Sequence, residues 1–366
     1  MKEIRKTYPS ENTEYELTGF CPRDKVLFVD IETTGLSKER SNLYLIGAGY
    51  FKDQNFCTIQ WFAEAPREEN FILDDFLTFA EDFDGLLHYN GKRFDLPYID
   101  YKAKLYGYDN PLNSLKTFDI YLTMKPYQKL MGFSSLKQRD IERFLGKDSD
   151  DPYTGRDLIS VYYDYVRDPD EDKLNSLLYH NLEDLKGILF ILPIIKYDSL
   201  KTLSPGLKDI VKNSYSDYLG NKKNELILTF EHELTFPKPF KSLNKDIFLS
   251  MSDRELMIRV PIKEMTLKHF YENYRDYYYL PLEDTCILKS AAHGVSRDRR
   301  ERAKKENCCM KKNGNFIPIF QMPANEPSFK TDYKSDINYI IYDDSILEKK
   351  EVLKDYASAL LEYLIK

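Results

Sequence analysis

Two carboxylates, Asp30 and Glu32, sit near the end of the run Val26-Leu27-Phe28-Val29-Asp30-Ile31-Glu32-Thr33-Thr34-Gly35-Leu36. The four apolar residues before Asp30 predict a buried strand. Side chains alternate faces along a strand, so Asp30 and Glu32 project from the same one. Paired carboxylates at the end of a central strand resist burial unless something positive compensates them. A divalent cation does so, and oxygen-only ligands suit Mg²⁺ or Mn²⁺ better than Zn²⁺. Gly35 then permits a tight turn or the close approach of a phosphate backbone, to which the hydroxyls of Thr33 and Thr34 can donate. Asp-x-Glu at a strand end also occurs as plain solvated surface, so other segments must decide between the two.

Two further segments carry such groups. In Leu86-Leu87-His88-Tyr89-Asn90-Gly91-Lys92-Arg93-Phe94-Asp95-Leu96-Pro97, a short strand ends near Asn90 and a helix starts at or just after Asp95. Asp at a helix start is favourable on its own account, as a cap or through the helix dipole. In Leu177-Leu178-Tyr179-His180-Asn181-Leu182-Glu183-Asp184-Leu185 the period is helical, and His180 and Asp184, at i and i+4, share a face. Taken alone, that pair reads as a solvated surface feature.

Taken together, Asp30, Glu32, Asp95 and Asp184 form a set of four carboxylates in the order strand, helix start, late helix. The set resembles the DEDD exonuclease superfamily on a ribonuclease H-like fold. The first segment resembles Asp-x-Glu-Thr-Thr-Gly. The second resembles Asn-x-x-x-Phe-Asp, through Asn90, Phe94 and Asp95. The third resembles Tyr-x-x-x-Asp, with His180 where the Tyr stands. The region around Asn90–Pro97 is most similar to the YprB-type predicted exonucleases, and the resemblance covers roughly residues 20 to 195. One branch of the superfamily places Tyr four residues before the last Asp, and the other places His five before it. This chain has His180 at minus four and Tyr179 at minus five, each at the other's spacing. A helix turns by about 100° per residue, so His180 is favoured as the residue over Asp184, with Tyr179 read as a packing residue.

The resemblance implies metal-dependent hydrolysis of a phosphodiester from the 3′ end of single-stranded DNA or RNA. Two Mg²⁺ or Mn²⁺ ions about 3.5–4 Å apart can stabilise both the attacking and the leaving oxygen. Asp30 and Glu32 would hold one ion. Asp30 and Asp184 would hold the other, with Asp95 as a direct or water-mediated ligand. His180 would orient or deprotonate the water. Thr33, Thr34, Gly35, Leu36, Asn90, Lys92, Arg93 and Phe94 are the candidate substrate contacts. Lys92 and Arg93 read equally as solvated loop charges. The same fold also permits a catalytically weak or inactive nucleic-acid-binding module, which the swapped His/Tyr spacing favours. A protein-interaction scaffold is the remaining class.

Length and composition bound these readings. A chain of 366 residues accommodates two domains. A net charge of −7 argues against binding nucleic acid by bulk charge, but it leaves room for a local basic groove. The five cysteines, Cys21, Cys57, Cys286, Cys308 and Cys309, have no Cys-x-x-Cys spacing and read as reduced thiols of a cytoplasmic protein. No apolar run is long enough for a membrane span, so no membrane role is expected.

The elements needed to position the carboxylates can be read in outline. The polar first twenty residues read as an extended arm. Strands are expected over Val26–Thr33, Tyr44–Phe51 and Phe56–Ala63, with Asp53-Gln54-Asn55 as a turn. A helix over 68–83, a strand over 85–89, a helix through Leu105 and a strand over 116–121 follow, with helices filling 134–195. This order gives an α/β fold, a ribonuclease H-like mixed five-stranded sheet flanked by helices, over residues 20–200. Residues 201–366 read as a smaller C-terminal α+β domain, with an amphipathic helix at 346–365. Within it, the stretch from Lys289 to Lys312 holds nine Lys or Arg against three Asp or Glu, beside Tyr277-Tyr278-Tyr279. Read as a basic helix beside aromatics, it could contact nucleic acid. It reads equally as a solvated face.

Overall fold

The computed structural model describes residues 1–9, 19–148, 152–203, 206–244, 246–320 and 327–365. Its contacts divide into two units. One comprises Met1–Gln128, Phe133–Asp198 and Phe236–Lys238, and the other Lys129–Gly132, Ser199–Thr235 and Pro239–Lys366.

In the first unit, the apolar run of the opening motif becomes β2 (Val26–Thr33), with β1 (Lys2–Pro9) before it and β3 (Leu43–Lys52) and β4 (Asn55–Phe62) after it. A two-residue turn links β3 to β4, with Asp53 at φ 55°, as such hairpins require. Then come α1 (Glu69–Ala80), β5 (Gly85–His88), α2 (Asp95–Tyr106), β6 (Lys116–Asp119), α3 (Ile120–Met124), α4 (Gln138–Leu145), α5 (Gly155–Arg167) and α6 (Glu171–Ile191). The sheet runs β1-β4-β3-β2-β5-β6. β1 to β4 pair antiparallel, and β5 and β6 add parallel strands beside β2. This is the mixed α/β sheet of a ribonuclease H-like fold, with six strands rather than five. The extra strand is β1, expected to be an arm. Its residues are mostly exposed, and it lacks an apolar alternation. Ladder pairing from Lys2 opposite Phe62 to Pro9 opposite Asn55 makes it a strand. Its Lys and Arg side chains discourage further pairing at that edge.

The pleat of β2 sorts its side chains. Leu27, Val29 and Ile31 join a core with Ile72, Leu73 and Phe76 of α1 and Tyr98, Ile99 and Ala103 of α2. Asp30 and Glu32 therefore lie on the opposite face, where α6 packs across β2 and β3. On that side, Tyr44, Leu45 and Phe62 pack against Leu158, Tyr162 and Tyr165 of α5 and Leu174, Leu177 and Leu178 of α6.

The second unit has one sheet built from β7 (Gly206–Ser216), β8 (Lys222–Glu231), β9 (Phe240–Asn244), β10 (Ile247–Ser252), β11 (Glu255–Phe270), β15 (Cys309–Ile319) and β16 (Asn338–Ile341). It runs β16-β15-β11-β10-β9, with β8 also paired to β11 and β7 to β8. A small sheet of β12 (Tyr277–Leu280), β13 (Thr285–Leu288) and β14 (Glu301–Arg302) accompanies it. The terminal helix α7 (Lys350–Ile365) is the one α-helix of this unit among the described residues. The unit is thus richer in strand than expected. The basic stretch is not an α-helix but two short 3₁₀ turns, Lys289–Gly294 and Arg297–Arg299, followed by strand. Arg302 is drawn into β14 opposite Tyr278, and the guanidinium of Arg300 lies 4.7 Å from the centre of the Tyr278 ring. No helix among the described residues is long and apolar enough to cross a membrane.

A buried ion pair anchors the loop that follows β2. Lys102 Nζ lies 2.9 Å from Glu69 Oε1 and donates to the Ser41 carbonyl at 2.7 Å. Glu69 also accepts from Leu43 N and Tyr106 Oη, each at 2.5 Å. Removing one partner leaves an uncompensated buried charge. Lys102→Met is therefore expected to lower unfolding free energy by about 3–5 kcal/mol in urea titrations. The double variant with Glu69→Gln should recover much of that loss.

Candidate metal centre

Three separated segments bring carboxylates to one end of the sheet. Asp30 and Glu32 come from β2, Asp95 from the first residue of α2, and Asp184 from the second half of α6. The β2–β3 register slips between Glu32 and Thr33, leaving Tyr44 as an extra residue on β3. Such a bulge ends regular pairing and re-aims nearby side chains.

Ligand atoms of Glu32, His180 and Asp184 all lie within 4.8 Å of one another. His180 Nε2 is 3.6 Å from Glu32 Oε1 and 3.6 Å from Asp184 Oδ2. Glu32, Asp95 and His180 are buried, whereas the Asp184 side chain is 31 % exposed and opens the group to solvent. Asp95 Oδ1 accepts from the Ile31 amide at 3.3 Å, which ties the start of α2 to β2. Burial, then the charges of Asp184, Asp95 and Glu32, hold the Asp30 carboxyl well above the usual carboxylate range. Burial likewise pushes Asp95 up to about 7, against the pull of backbone amides. A divalent cation fits this donor set. Crowded, desolvated oxygen ligands that resist ionisation are what its charge would relieve. Glu32 and Asp184 could hold one directly, with Asp30 and Asp95 alongside and His180 Nε2 left facing the space between them.

Asn181 belongs to the site and escaped the motif reading. Its Nδ2 donates to Asp30 Oδ2 at 2.8 Å, and its Oδ1 accepts from Gln60 Nε2 at 2.9 Å. Gln60 also donates to the Leu178 carbonyl at 2.8 Å. Asn181 reaches β2 because residue 47 on β3 is glycine, where a Cβ would stand 2.1 Å from Asn181 Oδ1. One signal for it existed. Leu177, Asn181, Leu185 and Ile188 form the buried stripe of α6, and an Asn on such a stripe needs partners. Gln138 was missed as well. It donates to the Asp184 carbonyl at 3.0 Å.

The expected substrate contacts are placed unevenly. Thr33 Oγ1 donates to the Gly35 carbonyl at 2.9 Å, so its proton stays within the loop rather than turning to a phosphate. Thr34 Oγ1 accepts from Asn42 N at 2.8 Å. Gly35 is half-buried, and Leu36 at the tip is 88 % exposed. Lys92 and Arg93 are exposed, with the Arg93 guanidinium 5.7 Å from the centre of the Tyr121 ring. Phe94 is half-buried against the α1–α2 core. Asn90 adopts φ 61°, and its side-chain oxygen is buried without a hydrogen-bond partner. With Tyr89, Tyr121, Ser135, Leu136, Lys137 and Gln138 it lines a cavity of about 450 Å³. Tyr179, read as packing, is instead 43 % exposed. A helix that buries the side chains at 178, 180, 181 and 182 turns the one at 179 outward.

Residues 27–193 match the family model of the RNase H superfamily. This segment carries a nuclease-type fold. No curated protein sequence matches the chain. Among solved structures, it is similar to the family B DNA polymerase from the hyperthermophilic archaeon Pyrobaculum calidifontis, at 15% identity and a TM-score of 0.41. The match covers 57% of this chain and 34% of that one, so the chain spans about a third of the polymerase's length.

The raised carboxyls have a measurable consequence. Below its ordinary value of 3.8, Asp95 is protonated whether the chain is folded or unfolded. Between that value and about 7 the folded chain keeps a proton that the unfolded chain has lost. The native state then binds more protons, so its stability falls as pH rises through this window. In EDTA, melting temperature should therefore decline from pH 4 towards pH 7, less steeply in Asp95→Asn. Added Mn²⁺ should raise it most at the upper end.

Proposed function

We propose that this protein is a metal-dependent 3′–5′ exonuclease that hydrolyses phosphodiester bonds of single-stranded DNA or RNA, in the manner of the DEDD superfamily. One observation carries the reading. Four carboxylates from three distant segments meet at the end of β2, with His180 between Glu32 and Asp184. The match of residues 27–193 to the RNase H superfamily model supports it.

Two divalent ions held by Asp30, Glu32, Asp95 and Asp184 would acidify bound water and stabilise charge on the phosphate oxygens. The protein's own groups do the rest. His180 Nε2 takes a proton from the attacking water. The water oxygen forms a bond to phosphorus as the bond from phosphorus to O3′ breaks, and the departing O3′ takes up a proton from solvent water. Asn181 holds Asp30 in place by its 2.8 Å hydrogen bond. The cavity beside Asn90 offers room for part of the terminal nucleotide.

The direct test is incubation with 5′-labelled single-stranded DNA and RNA, in Mn²⁺ and in EDTA. A metal-dependent ladder shortening from the 3′ end is expected, and Asp30→Ala and Asp184→Ala should each abolish it. The melting temperature of these variants should hold or rise, because like charges are relieved. His180→Ala should slow cleavage by about 10²–10⁴-fold, while Tyr179→Phe should cost little. Strand binding without cleavage in Mn²⁺ would overturn the enzyme reading in favour of a binding module. A strong effect of Tyr179→Phe with a neutral His180→Ala would reverse the assignment of the base.

A further inference from the structure

We infer that the outer face of β11 and β15 binds the sugar-phosphate backbone of single-stranded nucleic acid through a row of three lysines. This deepens the reading above and rests on its nucleic-acid substrate. Lys268 on β11 stands directly opposite Lys311 on β15. On its other side it stands opposite Lys330. Lys268 and Lys330 exchange both backbone hydrogen bonds, at 2.9 and 2.8 Å. Directly paired residues point to the same face, and adjacent strands lie about 4.8 Å apart. Three ammonium groups are thus set side by side across the sheet.

Like charges in directly opposed positions destabilise a sheet, so the row needs an anion. The protein supplies one carboxylate to it, Asp284, which is ion-paired to Lys311, accepts from Tyr279 Oη at 2.8 Å and feels the charge of Lys268 more weakly. Among the described residues, neither Lys268 nor Lys330 has an ion-pair partner. Asp332, two residues beyond Lys330, accepts from the Lys334 amide, and Glu264 lies four residues along β11 from Lys268. A phosphodiester chain provides the missing negative charge at closely repeated intervals.

The rest of the face favours a nucleic acid. The inner side of this part of β11 packs Leu267 against Phe316, Phe329 and Tyr339, which leaves Thr266, Lys268 and Phe270 outward. Tyr333, 37 % exposed, meets the Phe270 ring edge-on with centroids 5.4 Å apart. A cationic row next to the exposed Tyr333 ring suits a backbone with a stacked base. The basic stretch between Lys289 and Lys312 contributes Lys311 to the row, and two of its arginines are engaged elsewhere. Arg299 pairs with Glu283, and Arg300 donates to the Ala292 carbonyl at 2.7 Å.

The test uses the full chain and fluorescence anisotropy with a labelled single-stranded oligonucleotide in EDTA, so that cleavage plays no part. The triple variant Lys268→Gln, Lys311→Gln, Lys330→Gln should bind about tenfold more weakly. The slope of log K against log salt should flatten by roughly 2, at about 0.7 for each phosphate that is no longer neutralised. The triple Lys→Arg variant should keep both affinity and slope, and the melting temperature of the Gln variant should not fall. Unchanged affinity and slope in the Gln variant, with Mn²⁺-dependent cleavage intact in the wild type, would overturn this surface and leave the nuclease reading standing. Binding to vesicles of phosphatidylserine in phosphatidylcholine, lost in the Gln variant while oligonucleotide binding persists, would reassign the row to a lipid surface. A wild type that neither binds nor cleaves nucleic acid would remove both readings.

Discussion

The first unit is organised around negative charge that it cannot easily solvate. Asp30 and Glu32 leave the same face of β2, and Asp95 and Asp184 arrive from other elements. Two of the four carboxyls are held above the ordinary carboxylate range by burial and by one another. A fold does not assemble such a group for stability, because neutral or apolar residues would pack there at lower cost. The arrangement makes sense as a receptor for cations. The bulge at Glu32/Thr33, the solvent opening at Asp184 and a histidine placed between two carboxylates belong to the same end of the sheet.

Holding those charges in place requires a scaffold that tolerates polar burial. Asn181 and Gln60 supply it through hydrogen bonds that link α6 to β2 and β4. Their closeness depends on Gly47, since a side chain there would occupy the position of the Asn181 amide. The Glu69–Lys102 pair serves the loop beyond β2 in a similar way, fixing the Ser41 carbonyl and the start of β3. In both networks each buried polar group has partners, which is the condition under which such groups add rigidity rather than cost.

The second unit follows a different logic. Its longest strand, β11, buries Leu256, Ile258, Val260 and Ile262 in its first half and Leu267 in its second, so the buried face changes parity along the strand. That change brings Lys268 outward and into register with Lys311 and Lys330. Charge collected in this way is invisible to a count along the chain, because its three members are separated by tens of residues.

Much of the first unit was legible without coordinates. The four apolar residues of β2 and the helical period around His180 each rest on local pattern, and local pattern reports faces reliably. The same alternation announced that Asp30 and Glu32 would travel together. Other features depended on partners far away in sequence. β1 has no strand pattern of its own and is a strand because β4 offers an unpaired edge. Arg302 sits in β14 because Tyr278 pairs with it, where local charge density suggested a helix. Thr33 keeps its proton in the loop because Gly35 O is within reach. Side-chain types and their periodicity determined which residues could do chemistry and on which face of an element each would lie. Which of them meet, Asn181 with Asp30 or Lys268 with Lys330, was decided by tertiary packing, because hydrogen bonds and like-charge rows depend on register between segments that no local spacing encodes.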